Sequence, residues 1–175
     1  MTDISQFKAR MSQGGARSNQ FECEITLPGF ISGGSNLTRN VKFLAHSASV
    51  PDSTVADTEV WFRGRAIHFA GERVFRPWTM SVYNDNDFTI RNAFEKWVNE
   101  VSHAKDTNGL MNPTTYQVDM YVRQKDRSDR TVMTYKFVDA WPVEVGAIGL
   151  SWDENNRIQT YDITFQYNYW EPGAQ

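Results

Sequence analysis

The chain has 175 residues, enough for one domain with a real core, and its 40% hydrophobic and 22% charged residues are those of a globular protein. A formal net charge of -3 and a pI near 5.6 argue against a nucleic-acid binder that works through a general basic surface. No run approaches the roughly 18 apolar residues of a membrane span, the first residues lack the apolar core of a secretory signal, and one cysteine excludes a disulfide within the chain.

The aromatic fraction of 14% leans toward strands. Residues 1–18 are polar with Gly14-Gly15 and read as an arm outside the core. Over residues 19–27, Phe21, Cys23, Ile25 and Leu27 share one face and Gln20, Glu22, Glu24 and Thr26 the other, until Pro28-Gly29 stops the strand. Cys23 therefore reads as a small buried hydrophobe. The glycine-rich residues 30–36 lack a following GK[ST] and read as a loop from which no helix opens, leading to a second strand over 41–46. Residues 54–62 and 66–69 form a hairpin pattern around Arg63-Gly64-Arg65, a basic, exposed tip. Trp61 and Phe62 are consecutive, so they point to opposite faces, and at least one lies outside a single core unless both faces are covered. That is a hint of an interface.

Residues 71–97 carry the most local information. Trp78, Met80 and Val82 alternate as in a half-buried strand, with Pro77 at its entry. Asn84-Asp85-Asn86-Asp87 supplies turn and capping side chains, and a helix is expected to start near Asp87. Its apolar stripe is Ile90, Ala93, Phe94, Trp97, Val98 and Val101. The acids lack the spacing of a calcium loop. Residues 105–113 read as loop, and 114–123 and 131–138 as a hairpin around the charged tip 125–130. Trp141-Pro142 is expected to turn the chain, residues 143–152 form an apolar segment, and Asp153-Glu154-Asn155-Asn156 a second polar turn. In the last strand Tyr161, Ile163, Phe165, Tyr167 and Tyr169 share one face, while Thr160, Asp162, Thr164, Gln166 and Asn168 form a polar face without lysine or arginine. Roughly eight strands and one helix predict a mainly β fold. Its form is two packed antiparallel sheets, a sandwich or partly closed barrel, with one flanking α-helix. The domain spans 19–171, between the arm 1–18 and a tail 172–175.

Site chemistry is sparse. His46, His68 and His103 are far apart and lie in no HExxH, CxxC or nucleophile-elbow context, and Glu22 and Glu24 share a polar face with no cleft predicted beside them. No catalytic, cofactor-binding or metal residue is expected. Charge is uneven: from residue 139 onward six acids face Arg157 alone, whereas bases gather at Arg63, Arg65, Arg73 and Arg76 and at Arg123, Lys125, Arg127 and Arg130. Such asymmetry can mean nucleic acid, a membrane, or a subunit that meets copies of itself with opposite faces, and scattered solvated charge is the plain reading. A DNA-binding β-barrel using residues 123–130 is the competing class, and an enzyme the third.

The ordered series Gly71-Glu72-Arg73-Val74-Phe75, Trp78, Asn84-Asp85, Arg91, Phe94-Glu95-Lys96-Trp97, Trp141-Pro142, Ser151-Trp152-Asp153, Asn156, Ile158-Gln159-Thr160 and Tyr169-Trp170-Glu171 resembles the tail tube proteins of T4-like contractile-tailed phages. The resemblance runs from about residue 19 to 171. It implies a β-sandwich or barrel with a flanking helix, assembled as homo-hexameric rings that stack into the inner tube for passing double-stranded DNA, without specific binding. Tail sheath, baseplate initiator and tail terminator proteins are the implied partners, and the virion tail, assembled in the host cytoplasm, the implied place. A tube-initiating baseplate protein is the alternative within the family, and the tubes of pyocins and type VI secretion are wider kin. No enzyme and no cofactor are implied. In such a tube Trp61, Phe62, Arg63 and Arg65 are expected at the contact between stacked rings. Polar strand faces, at Glu22 and Glu24 and at Asp162, Thr164 and Gln166, are expected to line the lumen, because a passing polyanion slides where cations are absent.

Overall fold

The computed structural model describes residues 3–11, 14–106 and 108–173. A short helix α1 (Ile4–Arg10), capped by the Asp3 side chain, buries nothing and lies outside the core. Strand β1 (Phe21–Ile25) follows, with Cys23 and Ile25 buried.

The glycine-rich segment then departs from expectation. Instead of a loop and a strand, helix α2 (Gly34–Leu44) opens after Gly33, whose φ of 82° suits a residue without a Cβ. Leu37, Val41 and Leu44 recur at spacings of four and three, and Val41 is buried in the core. Strand β2 is only Ala45–Ala48. The flank of the sheet thus carries two helices rather than one.

Strands β3 (Thr54–Phe62) and β4 (Arg65–Val74) form a separate two-stranded sheet, closed by Arg63 and Gly64 at φ 50° and 80°. Two successive positive φ values give the tight turn that matches strand twist. Strand β5 (Trp78–Tyr83) alternates as read, with Trp78, Met80 and Val82 buried. Helix α3 (Thr89–Val101) starts two residues later than expected, because Phe88 takes φ 55° and the Asp85 carboxylate accepts from the Thr89 N–H at 3.2 Å. Its stripe of Ile90, Ala93, Phe94 and Trp97 is buried.

A turn of helix α4 (Pro113–Tyr116) leads to β6 (Val118–Lys125) and β7 (Thr131–Val145). Strand β7 runs through Trp141-Pro142 without turning back, which corrects the expected turn. Asp139 at φ 55° bends it, and a register shift between Pro142 and Glu144 marks a bulge, where a residue without an N–H is tolerated. Thr131 to Val138 pair with β6 and β9, and Trp141 to Val145 pair with β8 (Thr160–Gln166). The expected final strand breaks at residues 167–168, where the Asn168 N–H donates to the Val138 carbonyl at 3.1 Å. The chain resumes as β9 (Tyr169–Gly173), so strand pairing continues past Glu171.

All strands are antiparallel, in the order β1-β6-β7-β8-β5-β2 with β9 added to β7. Bent at β7, this sheet folds into two halves that pack face to face. Trp78 of one half meets Phe137 of the other at 5.0 Å between ring centroids, and Phe137 meets Tyr167 at 4.9 Å. The terminal strands β1 and β2 do not pair, so the barrel is not closed. Helix α3 covers the core through Phe94, whose ring lies 5.9 Å edge-on to Phe165. No helix among the described residues is long and apolar enough to cross a membrane.

Candidate assembly surfaces

Pairing register sorts the hairpin's two faces. Val60 opposes Ile67, Phe62 opposes Arg65 and Thr58 opposes Phe69, so one face is a contiguous apolar strip. The other face carries Trp61, Glu59 and His68, with His68 Nδ1 2.7 Å from an Asp57 carboxylate oxygen. Neither face is covered: Trp61 is 68% and Phe62 60% exposed. Arg63 and Arg65 stand at the tip, the Arg63 guanidinium 5.3 Å from the Phe62 ring.

The hairpin's root, by contrast, is fixed. The Trp78 indole N–H donates to the Ser49 carbonyl at 2.8 Å and the Trp170 indole N–H to the Asp52 carbonyl at 2.9 Å. The blades are bare and the hinge is pinned.

The two polar faces expected to be alike differ in charge. Outward positions of β5, β7 and β8 are Thr79, Ser81, Glu144, Asp162, Thr164 and Gln166, with Thr79 and Thr164 hydroxyls 3.1 Å apart. No lysine or arginine stands on these positions. The face holding Glu22 and Glu24 is laced with cations instead. Arg123 lies opposite Glu22 in register and bonds both carboxylates. Lys42, Lys125 and Arg123 approach Glu22 at 2.8, 2.7 and 3.2 Å. Further along that face Lys136 pairs with Asp119 at 2.6 Å. Glu22, expected on an open strand face, is only 8% exposed, because α2 lays Lys42 across it.

Burial alone raises the Glu22 carboxyl pKa, but hydrogen bonds from Lys125 and Lys42 outweigh it and hold the group below its ordinary 4.5. Ionised Glu22 therefore stabilises the fold above the unfolded-state value, and this contribution is lost as pH falls through the lower folded-state value. Glu22→Gln is expected to destabilise by about 1–3 kcal/mol at pH 7. The difference from the parent should shrink as pH falls below 4.5 and through the lower folded-state value, beneath which both side chains are neutral. Urea melts at pH 7 and pH 3 check this; a deficit unchanged with pH would mean the charge is not what stabilises.

The third surface is the connection 146–159 between β7 and β8, expected partly as an apolar segment. It carries no strand. Its ends are tied: the Arg91 guanidinium donates to the Gly146 carbonyl at 3.0 Å, and Asn84 bonds the Gln159 side chain at 2.9 Å. Arg91 is itself held by Glu95 at 2.7 Å. A Cβ at Gly146 would fall 2.9 Å from the Asp162 carbonyl oxygen, so only glycine lets the connection leave β7 so tightly. Between the ties Trp152 is fully exposed and Leu150 80% exposed, beside Asp153 and Glu154. The histidines stay apart: His46 packs on Tyr83 at 4.5 Å, His68 is on the hairpin, and His103 lies 3.9 Å from Glu100.

The sequence profile of the family described as phage tail tube protein matches residues 16–172. The tail tube protein gp19 of Enterobacteria phage T4 is 34% identical over 164 residues, covering 89% of this chain and 91% of that one. The tail tube protein of Serratia phage KSP90 is 24% identical, covering 95% of each. Among solved structures, a chain of the anti-feeding prophage baseplate shares the fold with a TM-score of 0.67 at 12% identity, over 90% of this chain and 95% of that chain. The profile spans nearly the whole β domain, including the bare hairpin and the tied connection, and the chain belongs to the phage tail tube protein family.

Proposed function

We propose that this chain is the structural subunit of the inner tube of a contractile phage tail, stacking as hexameric rings around the conduit for genomic DNA. It sits in the virion tail, with sheath outside and initiator and terminator proteins at the ends, and carries no catalytic role. The β3–β4 hairpin carries this reading. A two-stranded sheet bare on both faces, with a contiguous apolar strip, is stable only against a partner. In a family of tail tube proteins that partner is another copy. Negative-stain micrographs and sedimentation of the purified chain, with and without a tail initiator, test it. Rings or tubes are expected; a persistent monomer at high concentration overturns the reading.

Trp61, Phe62, Arg63 and Arg65 then lie where rings meet. Arg63→Glu with Arg65→Glu is expected to block stacking and leave the thermal midpoint unchanged, since exposed charges contribute only ~0–1 kcal/mol to a fold, while mismatched charges across an interface oppose several times that. Tubes of normal length and growth rate would remove these residues from the contact. For the lumen, the cation-free face of Asp162, Thr164 and Gln166 is preferred over that of Glu24, where Arg123 and Lys136 would hold phosphates. Glu22, being buried, belongs to neither lining.

A further inference from the structure

The hairpin and the 146–159 connection lie at opposite ends of the same strand pair. The hairpin leads through residues 75–77 into Trp78, which is in register with Phe165, while the connection leads into Thr160, in register with Tyr83. The six residues of β5 separate the two ends by about 20 Å. A projecting element at one end and an exposed platform at the other are the two halves of a head-to-tail contact, which stacks open-endedly when its rotation does not close into a ring.

Their chemistry matches. The hairpin offers Phe62 on an apolar strip with Arg63 and Arg65 at its tip, none of the three buried. The connection offers Leu150 and Trp152 beside Asp153. Arg157 takes Glu154 at 3.1 Å, and among the described residues Asp153, Arg63 and Arg65 make no ion pair within the chain. We infer that the hairpin of one copy docks on the 146–159 connection of the next, Phe62 packing against Leu150 and Trp152 while Arg63 and Arg65 meet Asp153. The inference rests on the tube reading and adds to it the receiving surface. Both elements are held at their roots, the hairpin by Trp78 and Trp170 and the connection by Arg91 and Asn84, while their contact residues stay free to meet a partner.

Cross-linking of assembled tubes tests it without touching the six contact residues. Ala66→Cys and Ser151→Cys are introduced together, since Ala66 faces Trp61 in register near the tip and Ser151 adjoins Trp152. Cys23 is silent in the background, because burial pushes its thiol up to about 12 and leaves it inaccessible. A short bis-maleimide is expected to give a ladder of dimers, trimers and higher multiples, absent from either single variant. In parallel, Arg63→Glu with Arg65→Glu is expected to raise the concentration needed for tube growth about tenfold or more, and adding Asp153→Arg with Glu154→Arg to restore it. If the arginine reversal blocks growth but the second pair does not restore it, and no ladder forms in tubes seen by microscopy, the hairpin docks elsewhere and the inference fails while the tube reading stands. If the parent chain forms neither rings nor tubes, the tube reading itself fails.

Discussion

Trp97→Ala is expected to destabilise the folded chain by about 3–5 kcal/mol, whereas Trp152→Ala should change it by less than about 0.5 kcal/mol. The residue type is the same and the surroundings decide. Trp97 is fully buried, its ring stacks on Phe94 at 6.1 Å, and its indole N–H donates to the Tyr116 carbonyl at 2.9 Å. Truncation opens a cavity under α3 and leaves that half-buried carbonyl without its donor. Against a total stability of roughly 5–15 kcal/mol for a domain, this one change threatens folding. Trp152 is fully exposed, so its removal takes nothing from the core. Urea melts below the assembly concentration compare the two, because assembly adds stability by mass action. A Trp97→Ala loss below about 1 kcal/mol would mean that α3 is not what closes the core.

How far the sequence reveals this fold depends on whether a signal is local. The unit from Trp78 through Trp97 is legible because period two, a polar turn and period 3.6 follow one another without overlap. The hairpin tip is legible because Gly64 must take a positive φ. Helix α2 is not, since Val41 and Phe43 look like strand residues and the glycines before them hide its start; only the spacing of Leu37, Val41 and Leu44 betrays it. Period two tells which side of β1 is polar but not what lies over it, and Lys42 reaches Glu22 only because α2 crosses that side. The corner at 167–168 is hidden for a similar reason, because alternation through Tyr169 carries on while hydrogen bonds to β7 change partner.

The tied connection was visible only in pieces. Arg91, Asn84, Trp152 and Gln159 all belong to the series that carries the family resemblance, yet nothing in their spacing joins them. The structure gives them one physical role: two side chains from the β5–α3 corner clamp the ends of a loop whose apex stays in solvent. An exposed tryptophan on a clamped loop is unfavourable for an isolated chain and useful at a contact. The polar face of β8 reads the other way. Its outward positions on β8 are polar and exposed or half-exposed and carry no cation, which fits a surface that binds no polyanion.

Asp162→Lys with Gln166→Lys tests that face through its effect on transport. Both side chains point away from the core, and the hydrogen bond that Gly146 makes at 2.7 Å uses the Asp162 backbone carbonyl, so the fold and tube assembly should survive. Each new lysine offers a phosphate an exposed pairing of ~0.5 kcal/mol, which is negligible once. If the proposed ring of six copies forms around the duplex, this becomes ~3 kcal/mol per ring for one position, repeated at every ring of the tube. DNA ejection is therefore expected to slow severely at low salt. It should recover toward 1 M salt, where the screening length falls from about 10 Å at 0.1 M to about 3 Å. Glu24→Lys on the opposite, cation-laced face is the control and should leave ejection unchanged. Normal ejection from tails shown to contain the Asp162 and Gln166 variant excludes β8 from the lumen, and arrest by Glu24→Lys alone would move the lining to the face of β1 and β6.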